Sequence, residues 1–157
     1  YGELYTKHHR IIRDFHSFIT SDVAKNAIRL KTNDILFAGS GETITEIGKS
    51  ASFIGNNEVY AGSDILVFRP KDMDGRYLGY LMNSQLVRQQ LNKFGSGATV
   101  MHVYGSDINK IKVPVKTKAE QTMIGDYLER ISERITIVEN KILDSKILQN
   151  KLIKEIF

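Results

Sequence analysis

The chain contains no cysteine, which excludes disulfides, thiol catalysis and structural zinc of the cysteine type. No stretch of eighteen consecutive apolar residues occurs, so no helical membrane span is expected. The first residues lack a charged-then-apolar leader pattern, and a cytoplasmic setting is the default expectation. The four histidines, His8, His9, His16 and His102, have neither HExxH spacing nor cysteine companions, so no metal site is expected. Carboxylates are scattered, with no pair placed for acid–base work. There is no dinucleotide-type GxGxxG, no nuclease-like Pro-Asp…Glu-x-Lys cluster, and no Pro-Pro-Tyr or Pro-Pro-Phe tetrad of the amino-methyltransferase kind. Nothing in the residues argues for catalysis.

What remains is an ordinary globular composition, with 41% hydrophobic and 25% charged residues, in 157 residues. The net charge of +4 is unevenly placed. Residues 1–116 carry 15 Lys/Arg against 11 Asp/Glu, and residues 117–157 carry seven of each. The basic excess therefore belongs to the first part, which favours a polyanionic partner for it. The pattern predicts two domains, a globular one over 1–116 and a long helix over 117–157.

Within the first part, Ile11, Ile12, Phe15, Phe18 and Ile19 are the apolar anchors of an otherwise polar opening. Asp34–Ala38, Ala51–Ile54 and Asp64–Arg69 are short apolar runs separated by glycine-rich turns, and read as strands. From Arg76 to Phe94 the period becomes helical, with Leu78, Leu81, Met82, Leu86 and Leu91 on one face and Asp74 or its neighbour as N-cap. Ala98–Tyr104 and Ile111–Val115 return to strand character around a helical turn at Ser106–Lys110. Strands with embedded helices, rather than alternating βαβ units, define an α+β fold.

The helix over 117–157 opens with a capping box, Thr117-Lys-Ala-Glu120. Ile124, Leu128, Ile131, Ile135, Val138 and Ile142 alternate at spacings of four and three, the heptad seam of a coiled coil. Such a helix is ~60 Å long, against a body ~35 Å across by size scaling. It is expected to overhang its own domain with an apolar stripe that needs a partner. Past Ile142 the heptad positions fall on Ser145 and Gln149, while apolar residues arrive in pairs such as Ile147/Leu148 and Leu152/Ile153. That wider stripe reads as a separate docking face.

Gly48-Lys49-Ser50 invites a phosphate-loop reading, but the position that needs the first glycine is Thr43, and the segment leads into strand-like sequence. A firmer signal is the repeated turn, Gly39-Ser-Gly-Glu-Thr and Gly95-Ser-Gly-Ala-Thr. Backbone N–H groups there can approach phosphates, and Ser40, Thr43, Ser96 and Thr99 can hydrogen-bond phosphates or bases.

Taken together, several segments resemble the specificity (S) subunits of Type I restriction–modification enzymes. They are YGELYTKHHRIIRD at the start, KTNDILFAGSGETITEIGKSASFIG at 31–55, YAGSDILVFRP at 60–70, YLGYLMNS at 77–84, GSGATVMHVYGSDINKIKVPV at 95–115 and AEQTMIGDYLERI at 119–131. Each piece is weak alone, but their order and spacing match across almost the whole chain. One departure is local, since Lys116-Thr117 stand where the family often has Pro-Pro; the capping box takes over the helix start.

The resemblance implies a non-catalytic, DNA-reading module holding one target recognition domain and one conserved spacer helix, with further recognition-domain residues expected ahead of Tyr1. Such subunits read a split DNA site and bind methyltransferase (M) subunits, and through them restriction (R) subunits. S-adenosylmethionine, ATP and Mg are expected only in those partners, with no cofactor in this chain. A bacterial or archaeal cytoplasm is the implied location. On this reading Lys7, Arg10, Lys49 and Arg88 hold phosphates, while Tyr5, Ser40, Thr43, Ser96, Thr99, His102 and Tyr104 face the bases. The seam Ile124, Leu128, Ile131, Ile135, Val138 and Ile142 pairs antiparallel with a second copy or a sister half. The rival is a coiled-coil adaptor without DNA affinity.

Overall fold

The computed structural model describes residues 2–41, 43, 47–94 and 101–157, with the side chain of Met101 left aside. Two compact units are present, Tyr1–Gly125 and Asp126–Phe157. The α+β class is observed: short strands and helices form the first unit, and one long helix, which begins within it, continues through the second.

Helix α1 (Gly2–Thr6) leads to strand β1 (Ile11–Ile12) and the short helix α2 (Ser21–Ala24). Strands β2 (Ile35–Ala38), β3 (Ser40–Gly41), β4 (Ser50–Phe53) and β5 (Ile65–Phe68) follow. Four of these strands form a mixed sheet in the order β1-β4-β2-β5, with β1 parallel to β4 and β2 antiparallel to both its neighbours. Strand β2 is buried on both faces. Its period of two sends Ile35 and Phe37 into one core and Leu36 and Ala38 into another.

Helices α3 (Gly75–Leu81) and α4 (Gln85–Phe94) cover the Ile35/Phe37 face with Tyr77, Leu78, Val87 and Leu91. Asp74 caps α3 as expected, its Oδ1 accepting the N–H of Arg76 at 2.9 Å. Along α3, Gly75 and Gly79 share the face that meets Ser52 of β4. A Cβ on Gly79 would lie 2.3 Å from the Arg10 carbonyl oxygen, and one on Gly75 would lie 2.7 Å from Ser52 Oγ.

The single helix expected over Arg76–Phe94 is two helices. Asn83 ends the first by turning its amide onto Ser50 O (2.7 Å) and Gly79 O (2.8 Å). The backbone carbonyl of Ser84 then accepts from Arg88 N–H at 2.9 Å and starts the second. Ile111–Val115 is not a strand either. Gln90 takes the place of a neighbouring strand, with Nε2 donating to Lys112 O (2.8 Å) and Oε1 accepting Lys112 N–H (2.9 Å). Ile111 and Val113 thereby reach the Phe37 core without a ladder. Strand β6 is confined to Met101–His102 within the described residues, and the turn expected at Ser106–Lys110 is helix α5 (Gly105–Ile108).

Two proposed apolar anchors do not anchor. Phe15 packs on Phe53 at 5.7 Å, but Phe18 is 94% exposed and Ile19 is half-exposed. Glu3 holds the backbone N–H of His16 (3.2 Å) and the Ser17 hydroxyl, which leaves the residues beyond directed outward.

Helix α6 (Lys118–Ile156) is one uninterrupted element of 39 residues. The capping box is formed, with Thr117 N–H donating to Glu120 Oε2 at 2.9 Å and Glu120 N–H to Thr117 Oγ1 at 3.3 Å. The first two turns belong to the body. Gln121 is buried, receiving Asp74 N–H on Oε1 (3.0 Å) and donating to Lys116 O (2.8 Å). Gly125 is buried beside Arg76 and Tyr77. Ile124 also packs on the Phe37 core, so it is taken up by its own domain and the open seam begins after it. Ile131, Ile135, Val138 and Ile142 are exposed.

Candidate nucleic-acid interface

Strand β3 pairs antiparallel with β6, placing Ser40 opposite His102 and Gly41 opposite Met101, and Val103 N–H continues the ladder to Gly39 O at 2.9 Å. The turn expected at Gly39-Ser40-Gly41 is therefore a strand, because Ser40 and Gly41 are paired by β6, and the other strand of this two-stranded ribbon leads through His102 to Tyr104. The rings of His102 and Tyr104 stack with centroids 6.4 Å apart and planes inclined by 21°. Tyr104 is 59% exposed. Its backbone N–H donates to Asp107 Oδ2 at 3.2 Å, which joins the ring's position to the start of α5. Hydrogen bonds from Lys110 and from that N–H hold the Asp107 carboxyl below its usual range.

Behind the ribbon lies a polar frame. Tyr5 Oη donates to Ser40 O at 2.7 Å, and Ser40 Oγ donates to Asp64 Oδ2 at 3.0 Å. Asp64 adopts a left-handed φ of 59°, and its carbonyl accepts Gly39 N–H at 2.8 Å. Close approach disfavours a side chain at 39 and 41. A Cβ at 39 would lie 3.1 Å from Asp64 O, and one at 41 would lie 3.0 Å from Tyr5 Oη. Lys49 Nζ donates to Tyr5 O at 3.0 Å and sits 5.8 Å from the centre of its ring. Arg88 is half-buried. Desolvation lowers the pKa of its guanidinium, and Tyr5 nearby acts in the opposite direction.

Several residues proposed from sequence are therefore brought together, in two different roles. Tyr5, Ser40, Lys49 and Arg88 form or border the frame, and Ser40 is buried with its hydroxyl committed to Asp64. His102 and Tyr104 sit on the ribbon itself, Tyr104 on its open side. Lys7 and Thr43 are exposed. Arg10 occupies another neighbourhood, its guanidinium 5.4 Å from the ring centre of Tyr80 on α3. Ser96 and Thr99, in the second glycine-serine-glycine segment and just after it, lie outside the described residues.

Sequence reasoning missed Asp64 and Lys110. The signal for Asp64 was its place directly after the Gly62-Ser63 turn, where a left-handed aspartate is favoured. Lys110 lies over the Phe94 ring at 5.4 Å and had no local signal. Among the described residues no group of three or more His, Asp or Glu side chains is arranged to hold a metal ion. None of the described helices is long and apolar enough to cross a membrane.

A second polar cluster ties down the opening segment. Glu3 Oε2 lies 3.1 Å from His8 Nε2, and the Ser17 hydroxyl donates to Oε1. The Ser17 hydrogen bond is the largest influence on this carboxyl, whose pKa is lowered to about 2; burial opposes the shift, and His16 N–H and His8 reinforce it. A carboxyl depressed when folded stabilises the fold above its ordinary pKa of 4.5 and loses that contribution as pH falls toward 2. Protection of residues 13–20 from proteolysis is accordingly expected to fall across that window. Glu3→Gln should lose the protection already at pH 7 and flatten the pH dependence, as read by limited digestion with an acid-active protease below pH 4.5 and a neutral one at pH 7.

The body thus carries a framed β-ribbon with a stacked pair of rings, and a long helix follows in sequence. The model of the Type I restriction modification DNA specificity domain matches residues 17–145, and the chain belongs to that family. It is similar to the Type I restriction enzyme StySPI specificity subunit of Salmonella potsdam, at 23% identity over 119 residues. It is likewise 23% identical over 119 residues to the Type I restriction enzyme EcoKI specificity subunit of Escherichia coli K12. Each match covers 75% of this chain and 26% of the relative, so the chain spans about a quarter of the length of these curated relatives.

Proposed function

We propose that the chain is a non-catalytic DNA-recognition module of a Type I restriction–modification system, reading one half of a bipartite site. The observation that carries this reading is the family match over residues 17–145, within which the ribbon exposes the stacked His102–Tyr104 pair. Tyr104 and His102 meet base edges. Lys7, Arg10 and Thr43 serve the phosphates, and the frame of Tyr5, Ser40, Lys49 and Asp64 holds the ribbon in place. Ser96 and Thr99 add hydrogen bonds to the DNA. Arg88, half-buried behind the ribbon, contributes a positive field more than a direct contact. Helix α6 pairs with a second copy or a sister helix, which supplies the other half-site reader. The paired outer face around Ile147 docks methyltransferase subunits. S-adenosylmethionine, ATP and Mg act in those partners and in the restriction subunits joined to them.

The test is binding to duplex oligonucleotides carrying the motif that loses methylation when the gene is deleted from its host. Affinity should fall steeply with salt, and Lys7→Ala and Arg10→Ala should each lower the salt slope by about one without changing the preferred sequence. Tyr104→Ala should cost about tenfold to a hundredfold in affinity for that motif, with little change for random duplex. A chain that binds no duplex at low salt, from a host whose methylated motifs do not depend on the gene, would reduce it to a helical adaptor.

A further inference from the structure

Helix α5 touches two pieces of chain that lie apart in sequence. One is Phe94, the last residue of α4, and the other is Tyr104, which follows β6. Residues 95–103 run between them in sequence. Asp107 accepts the backbone N–H of Tyr104 on Oδ2 at 3.2 Å. Its other oxygen, Oδ1, accepts Lys110 Nζ at 2.9 Å. The same ammonium lies 5.4 Å from the ring centre of Phe94. One carboxylate and one cation therefore link Tyr104 to Phe94. The base beneath them is firm, since Ile108 of α5 and Leu91 of α4 share a core and Gln90 holds the Lys112 backbone at 2.8 and 2.9 Å.

We infer that Asp107 and Lys110 are positioning residues for DNA reading, a clasp that fastens the Tyr104 end of the ribbon to the end of α4. This rests on the reading that Tyr104 meets bases, and adds what fixes the backbone that carries its ring. The backbone N–H of Asp107 donates to Tyr104 O at 2.9 Å, so a single residue grips both polar groups of the Tyr104 backbone.

Stability gives the pair little reason to exist. Lys110 keeps 59% of its side-chain surface exposed, and ion pairs of this kind contribute little to folding. Asp107 is more sheltered, at 14%. Its two oxygens serve two different donors, which an amide with a single oxygen cannot do. A residue left loose must be ordered when DNA binds, and that lowers affinity. The loss falls on base contacts, which carry the sequence information, more than on phosphate contacts. Charge alone predicts the opposite sign for Asp107. Removing a carboxylate from a basic body should tighten binding to every duplex.

The experiment uses the full chain, the duplex carrying the host motif that depends on the gene, and a random duplex, each titrated with salt. Asp107→Ala should weaken binding to the motif about threefold to tenfold and leave the random duplex unchanged or tighter. Asp107→Asn should fall between Asp107→Ala and the parent. Lys110→Met should lose as much as Asp107→Ala on the motif with the same salt slope. Lys110→Arg, which keeps a cation for Oδ1 and for Phe94, should return to within about twofold of the parent. Without DNA, amide exchange at Tyr104 should quicken about twofold to tenfold in Asp107→Ala.

An Asp107→Ala chain that tightens on both duplexes, or whose Tyr104 amide exchanges as in the parent, overturns the clasp. So does a Lys110→Met chain that weakens on both duplexes alike with a salt slope lower by about one, the mark of a plain phosphate contact. A parent that prefers the motif while all four variants prefer it equally overturns the clasp and leaves the DNA reading standing. A parent that prefers no duplex overturns both.

Discussion

Gly79→Ala is expected to destabilise the first unit by about 2–3 kcal/mol, although alanine is the better helix former by about 1 kcal/mol. The added methyl would lie 2.3 Å from the Arg10 carbonyl oxygen and 3.2 Å from Ser52 Cβ. Neither neighbour is free to retreat. The Arg10 carbonyl accepts Ser52 N–H at 2.9 Å, one of the bonds that attach β1 to β4. Moving it away breaks that attachment, and moving α3 instead opens the core around Leu78 and Tyr77. Gly105→Ala is the control, because nothing lies within 4 Å of its Cβ position, and it should change stability by less than about 0.5 kcal/mol. Urea denaturation at fixed protein concentration reads both, the concentration being held constant because self-association would shift apparent stability. An equal loss in the two variants would mean that the α3–β4 contact is looser than the structure shows.

Asp34→Ala is expected to cost about 3 kcal/mol, and the asymmetry of its ion pair explains why. The Asp34 side chain is fully buried, whereas its partner Arg69 keeps 45% of its side-chain surface exposed. Arg69 donates through Nε to Oδ1 (2.8 Å) and through Nη2 to Oδ2 (2.7 Å), and the backbone N–H of Lys31 also donates to Oδ2 at 2.7 Å. Those hydrogen bonds raise the guanidinium above its ordinary pKa. Removing the carboxylate strands the Lys31 N–H, a loss of about 1–3 kcal/mol, and dissolves a bidentate pair. The freed guanidinium regains water, so the total stays at the lower end of the range for a broken buried pair. Arg69→Ala should be tolerated less well than an ordinary surface change, because it leaves the buried carboxylate behind. Asp34→Asn, which still accepts from Lys31, should lose about half as much as Asp34→Ala. If Asn and Ala behave alike in urea denaturation, the charge rather than the Lys31 turn dominates.

The strands and the helix cap were legible because their causes are local. Ile35–Ala38 is an apolar run bounded by Gly39, and Thr117 reaches Glu120 within one helical turn. The break between α3 and α4 was not legible, because Asn83 is turned by Ser50, 33 residues away in sequence. Ile111–Val115 has the β-branched composition of a strand, yet a glutamine on α4 satisfies its backbone. Ile124 fits the heptad as well as any residue of the seam, and only the position of the body shows that the core claims it. The candidate site followed the same division. Residue types suited to polar contact were visible at Tyr5, Ser40 and Lys49, but whether they face inward or outward depends on Asp64, 24 residues beyond Ser40. His102 and Tyr104 were each legible as polar rings near strand-like sequence, but their stacking was not.

The separation of frame from ribbon has a consequence for how this surface changes over time. Tyr5, Ser40 and Asp64 hold β3 from within, while Tyr104 stands outward, its backbone N–H bonded to Asp107 and its ring against only that of His102 among the described ring contacts. A substitution at 104 therefore leaves the core untouched and should alter stability by less than about 0.5 kcal/mol. If this ring meets bases, its replacement changes what is read at almost no cost to folding. Preference can then drift through a sequence of well-folded intermediates.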